Sequence, residues 1–164
     1  MSNHTGQTTI CMIRLDDQSY GIDMLAIREA NQFTQTVRIP GAPPQVLGMV
    51  NLRGSLFLLI DVRSLLGLAG RQPGPDDLLI VFRPSQGEAF GILVDALDDT
   101  KVLPGRHITP REPDDGIITA IALEEGRSFP LLSPELMYRK VKALIQGPST
   151  GPASTTAPAS EKIP

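Results

Sequence analysis

The stretch that decides the fold is LGMVNLRGSLFLLIDVRSLLG, residues 47–67. Two apolar segments flank residues 51–54 (NLRG), where Asn at the first position and Gly at the last favour a β-turn. We therefore predict two strands joined by a tight turn, with the cation of Arg53 near its tip. Asp61 is suited to the N-cap of a short helix that Gly67 ends. The alternative is an ordinary buried hairpin without a binding role.

The composition favours an all-β protein. The 164 residues include fifteen glycines and fifteen prolines, which is typical of short strands separated by turns. A hydrophobic content of 41% allows one domain or two small barrels with a real core. A net charge of −3 and only 4% aromatic residues argue against nucleic-acid binding.

The cellular location is also constrained by the sequence. A lone cysteine cannot form an internal disulfide, so nothing indicates an oxidising compartment. The N-terminus lacks the features of a signal peptide, and no apolar run approaches the ~20 residues of a membrane helix. These observations predict a cytoplasmic protein that does not insert into a membrane.

The chain is predicted to contain an internal duplication. Six positions recur seventy residues later: Ile10, Tyr20, Gly21, Ile22, Ala26 and Ile27 match Ile80, Phe90, Gly91, Ile92, Ala96 and Leu97. The hairpin positions recur seventy-two residues later: Gly54, Phe57, Leu59, Ile60 and Asp61 match Gly126, Phe129, Leu131, Leu132 and Ser133. Two copies indicate a duplication of a small β unit, with a boundary in the Gly- and Pro-rich connector 69–77. Chance matching of permissive strand patterns is the alternative.

The sequence predicts a C-terminal helix and disordered segments at both ends of the chain. Residues 133–135 (SPE) are typical of a helix start, and the helix is expected to run to about Gln146. Its apolar side is expected to pack either across a barrel or on a partner. Residues 147–164 are mostly Pro, Ser, Thr, Ala and Gly, so we predict a disordered tail there. Residues 1–8 are expected to be disordered as well.

The residues do not form a recognisable catalytic or metal centre. His107 stands in a predicted loop, and Cys11 fits the alternation of a buried strand. The acidic pairs 98–99 and 114–115 lack the spacing of a calcium loop, and no phosphate-binding loop is present. We therefore predict a protein that is not an enzyme and that binds neither cofactor nor metal.

Several motifs resemble those of the CheW family of chemotaxis coupling proteins. They are DQSYGI at 17–22, PGAP at 40–43, LGMVNLRG at 47–54, LIDVR at 59–63 and GILVD at 91–95. The likeness extends over residues 9–146 in order and with compatible spacing. It implies two packed, five-stranded SH3- or OB-like β-barrels with a C-terminal helix.

The resemblance also implies a non-catalytic scaffold with two partners. It would bridge the cytoplasmic tips of methyl-accepting chemoreceptors to the regulatory domain of the CheA histidine kinase, in membrane-associated arrays. By position, the receptor-binding residues would be Ile27, Glu29, Arg53 and Phe90. The kinase-binding residues would be Val37 and Ile39.

Some features leave the particular partners open. Ala30 replaces a larger aliphatic residue, and residues 109–113 (TPREP) differ from the usual pattern near a second kinase contact. An alternative within the family is an adaptor of a chemosensory array that controls surface motility or biofilm formation. A rival from another class is a small β-barrel enzyme or nucleic-acid binder, which the missing catalytic residues and the acidic balance disfavour.

Overall fold

A computed structural model describes residues 6–84, 88–112 and 116–146. The predicted tail at 147–164 and the first five residues lie outside the described ranges. The described residues form strands β1 (Gln7–Leu15), β2 (Gln18–Asp23), β3 (Ile27–Gln32), β4 (Val46–Leu52), β5 (Ser55–Ile60), β6 (Leu78–Phe82), β7 (Phe90–Val94), β8 (Ala96–Leu97), β9 (Lys101–Pro104), β10 (Ile108–Pro110), β11 (Ile118–Glu124) and β12 (Arg127–Leu132), and helices α1 (Val62–Leu65) and α2 (Pro134–Gln146).

The strands form two sheets, and each sheet takes strands from both halves of the chain. The first sheet has the order β10-β11-β12-β2-β1-β8, with β9 also paired to β1. The second sheet has the order β3-β6-β7-β5-β4. The all-β prediction is therefore confirmed, although the first sheet has seven strands instead of five, three of which are the short strands β8 to β10.

The predicted boundary at 69–77 does not separate the two sheets. This connector joins β5 and α1 to β6, and all of its flanking strands belong to the second sheet. The prediction of a boundary between the two β units in this connector is therefore wrong, because the hairpin of each half pairs with the other half. In the second sheet β5 pairs in parallel with β7, and in the first sheet β12 pairs in parallel with β2.

The repeated glycines lie where these exchanged strands meet. Gly21 pairs with Leu131, and Gly91 pairs with Leu59. A Cβ atom at Gly21 would stand only 2.6 Å from side-chain carbons of Ile10 and of Leu131. The aromatic-Gly pattern that recurs in the sequence therefore marks two equivalent sites of close packing between strands.

The hairpin around Arg53 is confirmed, with its turn one residue later than expected. β4 ends at Leu52 and β5 begins at Ser55, so the two turn residues are Arg53 and Gly54. Both have positive φ angles, 53° and 86°, which match the twist of a two-residue hairpin. The Asn51 side chain accepts a hydrogen bond from the Gly54 N–H at 3.0 Å.

Among the residues that the structure describes, three apolar clusters form the core. One lies between the two sheets and includes alternate residues of the central strands, such as Ile13, Ile80 and Ile92. A second lies on the other side of the first sheet, and a third lies on the other side of the second sheet. Strands β1 and β6 contribute to two clusters each, because their successive side chains point to opposite faces.

The predicted helix starts are confirmed. The Asp61 carboxylate accepts a hydrogen bond from the Arg63 N–H at 3.1 Å. The Ser133 hydroxyl accepts one from the Leu136 N–H at 3.1 Å. Each cap satisfies a backbone donor that the first turn leaves unpaired.

The apolar side of α2 is buried only in its first half. Met137 and Val141 are fully buried in the cluster between the sheets. Leu144 and Ile145 are 46% and 52% exposed. The first half of the helix therefore packs on the chain itself, as one of the two predicted alternatives has it, whereas its last turn leaves apolar side chains exposed.

Strand β1 begins within the N-terminal segment that was predicted to be disordered. Gln7 and Thr8, which were expected to be disordered, belong to β1 and pair with Pro104 and Leu103 of β9. The prediction is wrong for these two residues because the sequence pattern did not reveal β9 as their partner.

Candidate partner-binding surface

Arg53 and Glu29 form an ion pair at the rim of the second sheet. Glu29 lies on the edge strand β3, and Arg53 lies at the tip of the hairpin that contains the opposite edge strand β4. The Arg53 Nη2 atom donates a hydrogen bond of 2.5 Å to Glu29 Oε1. The pair therefore joins the two edges of one sheet.

The electrostatics of the ion pair favour a charged Glu29. Hydrogen bonds from Asn31 and then from Arg53 lower the pKa of the Glu29 carboxyl, and the charge of Arg28 adds to the effect. The Arg53 side chain is 65% exposed, whereas that of Glu29 is only 20% exposed. The guanidinium thus keeps donors that can reach a partner.

Apolar side chains lie on β3 and on the β4–β5 hairpin, the same elements that carry this ion pair. Leu56, three residues after Arg53 on the same hairpin, is 63% exposed. Ile27 and Leu58 are half-buried and pack against the edge of the cluster between the sheets. Ile27 is paired with Phe82 and Leu58 is paired with Phe90, so these residues lie across one face of the second sheet. We call Ile27, Glu29, Arg53, Leu56 and Leu58 the rim surface.

Phe90 is not part of the exposed surface. Its side chain is 3% exposed. The Phe90 ring lies 5.0 Å from that of Phe82 and 5.6 Å from that of Tyr138 on α2. The prediction that Phe90 contacts a receptor is wrong for this structure, because α2 covers the ring and places it in the core.

Val37 and Ile39 lie at the outer edge of the second sheet. Val37 forms an isolated bridge with Met49 of β4, with two backbone hydrogen bonds of 2.8 Å. Its side chain is 65% exposed, and that of Ile39 is 38% exposed. Ile39 also lines an open cleft of about 560 Å³ formed by the loop 38–44 and the start of β4. The pair thus presents apolar area next to β4, on residues that are not part of the rim surface.

A cluster of charged residues centres on Arg63. No role for it was predicted from the sequence. The Arg63 side chain is only 7% exposed. It donates hydrogen bonds to Asp16 at 2.8 Å and to both oxygens of Asp95 at 2.6 and 2.7 Å. Arg71 donates to Asp95 and to the buried Asp77. The motifs at 59–63 and 91–95 contain Arg63 and Asp95, but neither motif shows that the two residues meet.

The Arg63 cluster predicts a specific loss of stability in acid. Burial by itself raises the pKa of the Asp95 carboxyl. Hydrogen bonds from Arg63 and Arg71 lower the pKa by more than burial raises it, so that its net value is about 2. Because this value lies below the ordinary one, the ionised carboxylate stabilises the fold above pH ~4 and ceases to do so as the pH falls towards 2. As the pH falls from about 4 to about 2, the free energy of unfolding of the wild type should decrease by on the order of 2 kcal/mol more than that of Asp95→Asn. Denaturant unfolding at each pH measures this difference, and parallel curves for the two proteins would contradict it.

The hairpin tip of the first sheet carries a related ion pair with reversed polarity. Glu125 and Gly126 have φ angles of 51° and 77°, like Arg53 and Gly54. Lys101 of β9 is paired with Glu124 at 2.5 Å. The acid therefore lies on the hairpin, and the base lies on β9, a strand that pairs with β1. At the other tip the base is on the hairpin and the acid is on β3.

Within residues 6–84, 88–112 and 116–146, no group of three His, Cys, Asp or Glu side chains could hold a metal ion. Burial raises the pKa of the Cys11 thiol, which disfavours the reactive thiolate. In the same ranges no helix is both long and apolar enough to span a bilayer.

These features define a class of protein, a two-sheet β module whose exposed edges suit contacts with other proteins. Comparison with known families gives a specific assignment. The model of the CheW-like domain matches residues 9–142. The chain therefore belongs to the CheW-like domain family, and the resemblance found in its motifs is confirmed.

Individual relatives agree with this assignment. The chain is 32% identical to the chemotaxis protein CheW of Rhizobium meliloti over 124 residues, covering 76% of this chain and 75% of the relative. It is 28% identical to a probable chemotaxis protein CheW of Rhizobium etli, covering 66% and 70% of the two chains. Its fold is similar to that of the scaffolding protein TtCheW from Thermoanaerobacter tengcongensis, with a TM-score of 0.71, 23% identity and coverage of 78% and 90%.

Proposed function

We propose that this chain is a non-catalytic adaptor that couples methyl-accepting chemoreceptors to the CheA histidine kinase. It would act in the cytoplasm at membrane-associated receptor arrays. The observation that carries the proposal is the exposed Arg53 guanidinium together with the exposed apolar side chain of Leu56 on the same hairpin, in a chain of the CheW-like family. Signalling would be transmitted through contacts, without a bond being made or broken.

The rim surface is suited to the helical hairpin at the cytoplasmic tip of a receptor. Burial of Leu56, Ile27 and Leu58 against apolar helix positions would supply the favourable desolvation. Arg53 would add charged hydrogen bonds at the border of this contact and so fix its register. Glu29 holds the guanidinium in place, so less side-chain freedom is lost on binding.

A binding experiment with purified fragments tests the proposal. The chain is titrated with a receptor cytoplasmic hairpin and, separately, with the regulatory domain of the kinase, and the mixture of all three is analysed by size-exclusion chromatography with light scattering. We expect binding to each fragment and a complex that contains all three. Failure to bind either fragment, or competition between the two, would refute the bridging role.

The second partner surface gives a prediction that separates the two contacts. Val37→Glu places a charge in the exposed apolar edge and is expected to weaken binding of the kinase domain about tenfold or more, since a buried unpaired charge is costly. Binding of the receptor hairpin should be unchanged, because Val37 lies outside the rim surface. Isothermal titration of the variant with each fragment measures both effects. Equal binding of the kinase domain by wild type and variant would exclude Val37 from the contact.

The exposed position of Val37 supplies a control for folding. Its side chain is 65% exposed, so Val37→Glu should change the free energy of unfolding by no more than ~0.5 kcal/mol. Val102→Glu on the first sheet is the matched variant, because Val102 is 55% exposed and also apolar. Val102→Glu should leave binding of the kinase domain unchanged if the effect of Val37→Glu depends on the position of Val37 in the fold.

A further inference from the structure

Asp95 occupies the point where the chain passes from one sheet to the other. β7 of the second sheet ends at Val94, and β8 of the first sheet begins at Ala96. A single residue therefore spans the change of sheet. The Asp95 N–H donates to the Arg14 carbonyl of β1 at 3.0 Å, which attaches the crossing to the first sheet.

The Asp95 side chain connects this crossing to both sheets. Its Oδ2 atom accepts a hydrogen bond of 2.6 Å from the Asp16 N–H, in the turn between β1 and β2. Both of its oxygens accept from Arg63, which lies in α1, the helix that comes after β5 of the second sheet. Arg63 also contacts the Asp16 carboxylate. The turn of the first sheet and the helix α1 of the second sheet are thus joined through one carboxylate.

The other crossing between the sheets is built differently. Between β2 and β3 the chain forms a 3-10 turn over Met24–Ala26, capped locally by Asp23, whose carboxylate accepts from the Leu25 N–H at 2.9 Å. In the repeat of seventy residues, Leu25 corresponds to Asp95. Leu25 is 81% exposed. The structure therefore shows one crossing with a local cap and one crossing fixed by ion pairs to distant segments.

We propose that Asp95 is a positioning residue that sets the angle between the two sheets. The angle matters for binding because Ile27 and Leu58 of the rim surface pack against the edge of the cluster that fills the space between the sheets. A change of angle would alter the spacing of these side chains and their fit to a helical partner. This effect on binding rests on the proposed function, whereas the effect on the angle does not.

The energetics of the Arg63 cluster support this role. Arg63 is almost fully enclosed, and its charge must be compensated by nearby carboxylates. Its partners lie at fixed positions on separate segments, so a rotation of one sheet against the other would lengthen several short hydrogen bonds at once. Removal of the Asp95 charge leaves Arg63 with the single carboxylate of Asp16, which is 55% exposed and can adapt to new positions.

A distance measurement tests the positioning role without any partner. Spin labels are attached to Leu56→Cys on the second sheet and Val102→Cys on the first, both exposed positions, with Cys11 replaced by Ala. Electron paramagnetic resonance distances are compared between this protein and its Asp95→Asn derivative. We expect a broader or shifted distribution in Asp95→Asn and a distribution close to the original in Asp95→Glu, which keeps a carboxylate. Identical distributions in all three proteins would overturn the proposal.

A binding measurement separates positioning from general stability. Asp95→Asn is expected to weaken binding of the receptor hairpin about tenfold, although Asp95 lies outside the rim surface. The control is Leu103→Ala, which opens a cavity in the apolar cluster of the first sheet. It should change binding of the receptor hairpin less than about twofold, under conditions in which both variants are folded. Equal weakening by the two variants would overturn the proposal, and Arg71→Met serves in place of Asp95→Asn if the latter does not fold. A wild type that fails to bind the hairpin would refute the proposed function, and the spin-label distances would still test the angle.

Discussion

Replacement of Arg53 by Glu is expected to weaken binding of a receptor hairpin by thirtyfold or more, about 2 kcal/mol. The variant removes the exposed donors of the guanidinium and places a carboxylate next to Glu29, so that the border of the rim surface becomes acidic. Isothermal titration with the receptor fragment measures the effect. Fold stability should change little, because exposed ion pairs contribute at most ~1 kcal/mol.

Two further variants show whether Arg53 acts on the partner or within the chain. The exchange Glu29→Arg with Arg53→Glu restores an ion pair between the same positions but reverses its direction. If Arg53 contacts the receptor, this double variant should remain defective. Glu125→Arg alters the equivalent tip of the first sheet and should bind like wild type. Full recovery in the exchanged protein would show that Arg53 only joins the sheet edges.

Replacement of Arg63 by Met is expected to lower the free energy of unfolding by about 3 kcal/mol. The side chain is only 7% exposed, and its removal leaves Asp95 with Arg71 as its remaining cationic partner. Denaturant unfolding at neutral pH measures the loss. Methionine preserves most of the apolar length of the side chain, so the change reports mainly on the ion pairs and less on lost packing.

Arg14→Met is the matched control for this prediction. Arg14 also pairs with a carboxylate, that of Asp98 at 3.0 Å, but its side chain is 48% exposed and that of Asp98 is 39% exposed. Solvent screens such a pair, so its loss should cost less than ~1 kcal/mol. Similar losses for Arg14→Met and Arg63→Met would indicate that burial does not strengthen the Arg63 cluster.

The local features of the fold could be predicted from the sequence because each rests on neighbouring residues. The turn at Arg53, the cap at Asp61 and the cap at Ser133 depend on residues within a few positions of one another. The duplication could be predicted as well, since it appears as a repeated pattern. The exchange of hairpins between the two halves could not be predicted, because an apolar strand shows that it is buried but not which strand it pairs with.

The candidate surface shows the same division between local and distant information. The exposure of Arg53 follows from its place in a turn, whereas its contact with Glu29 depends on how the second sheet brings its edges together. The sequence could not show whether Phe90 faces a partner or the core, because an aromatic residue in a strand can do either. The packing of α2 against its ring buries it in the core. Arg63 was overlooked because charged residues near a helix start are usually exposed. Only the fold shows that three distant carboxylates, Asp16, Asp77 and Asp95, meet around Arg63 and Arg71.

The most direct test of the proposed coupling is a co-sedimentation measurement. Membranes that contain the chemoreceptor are incubated with the purified kinase, with and without this chain, and the kinase in the pellet is quantified. We predict that the kinase sediments with the membranes only when the wild-type chain is present, and that Arg53→Glu and Val37→Glu each reduce its recovery. Equal amounts of kinase in the pellet with and without the chain would contradict the proposed function.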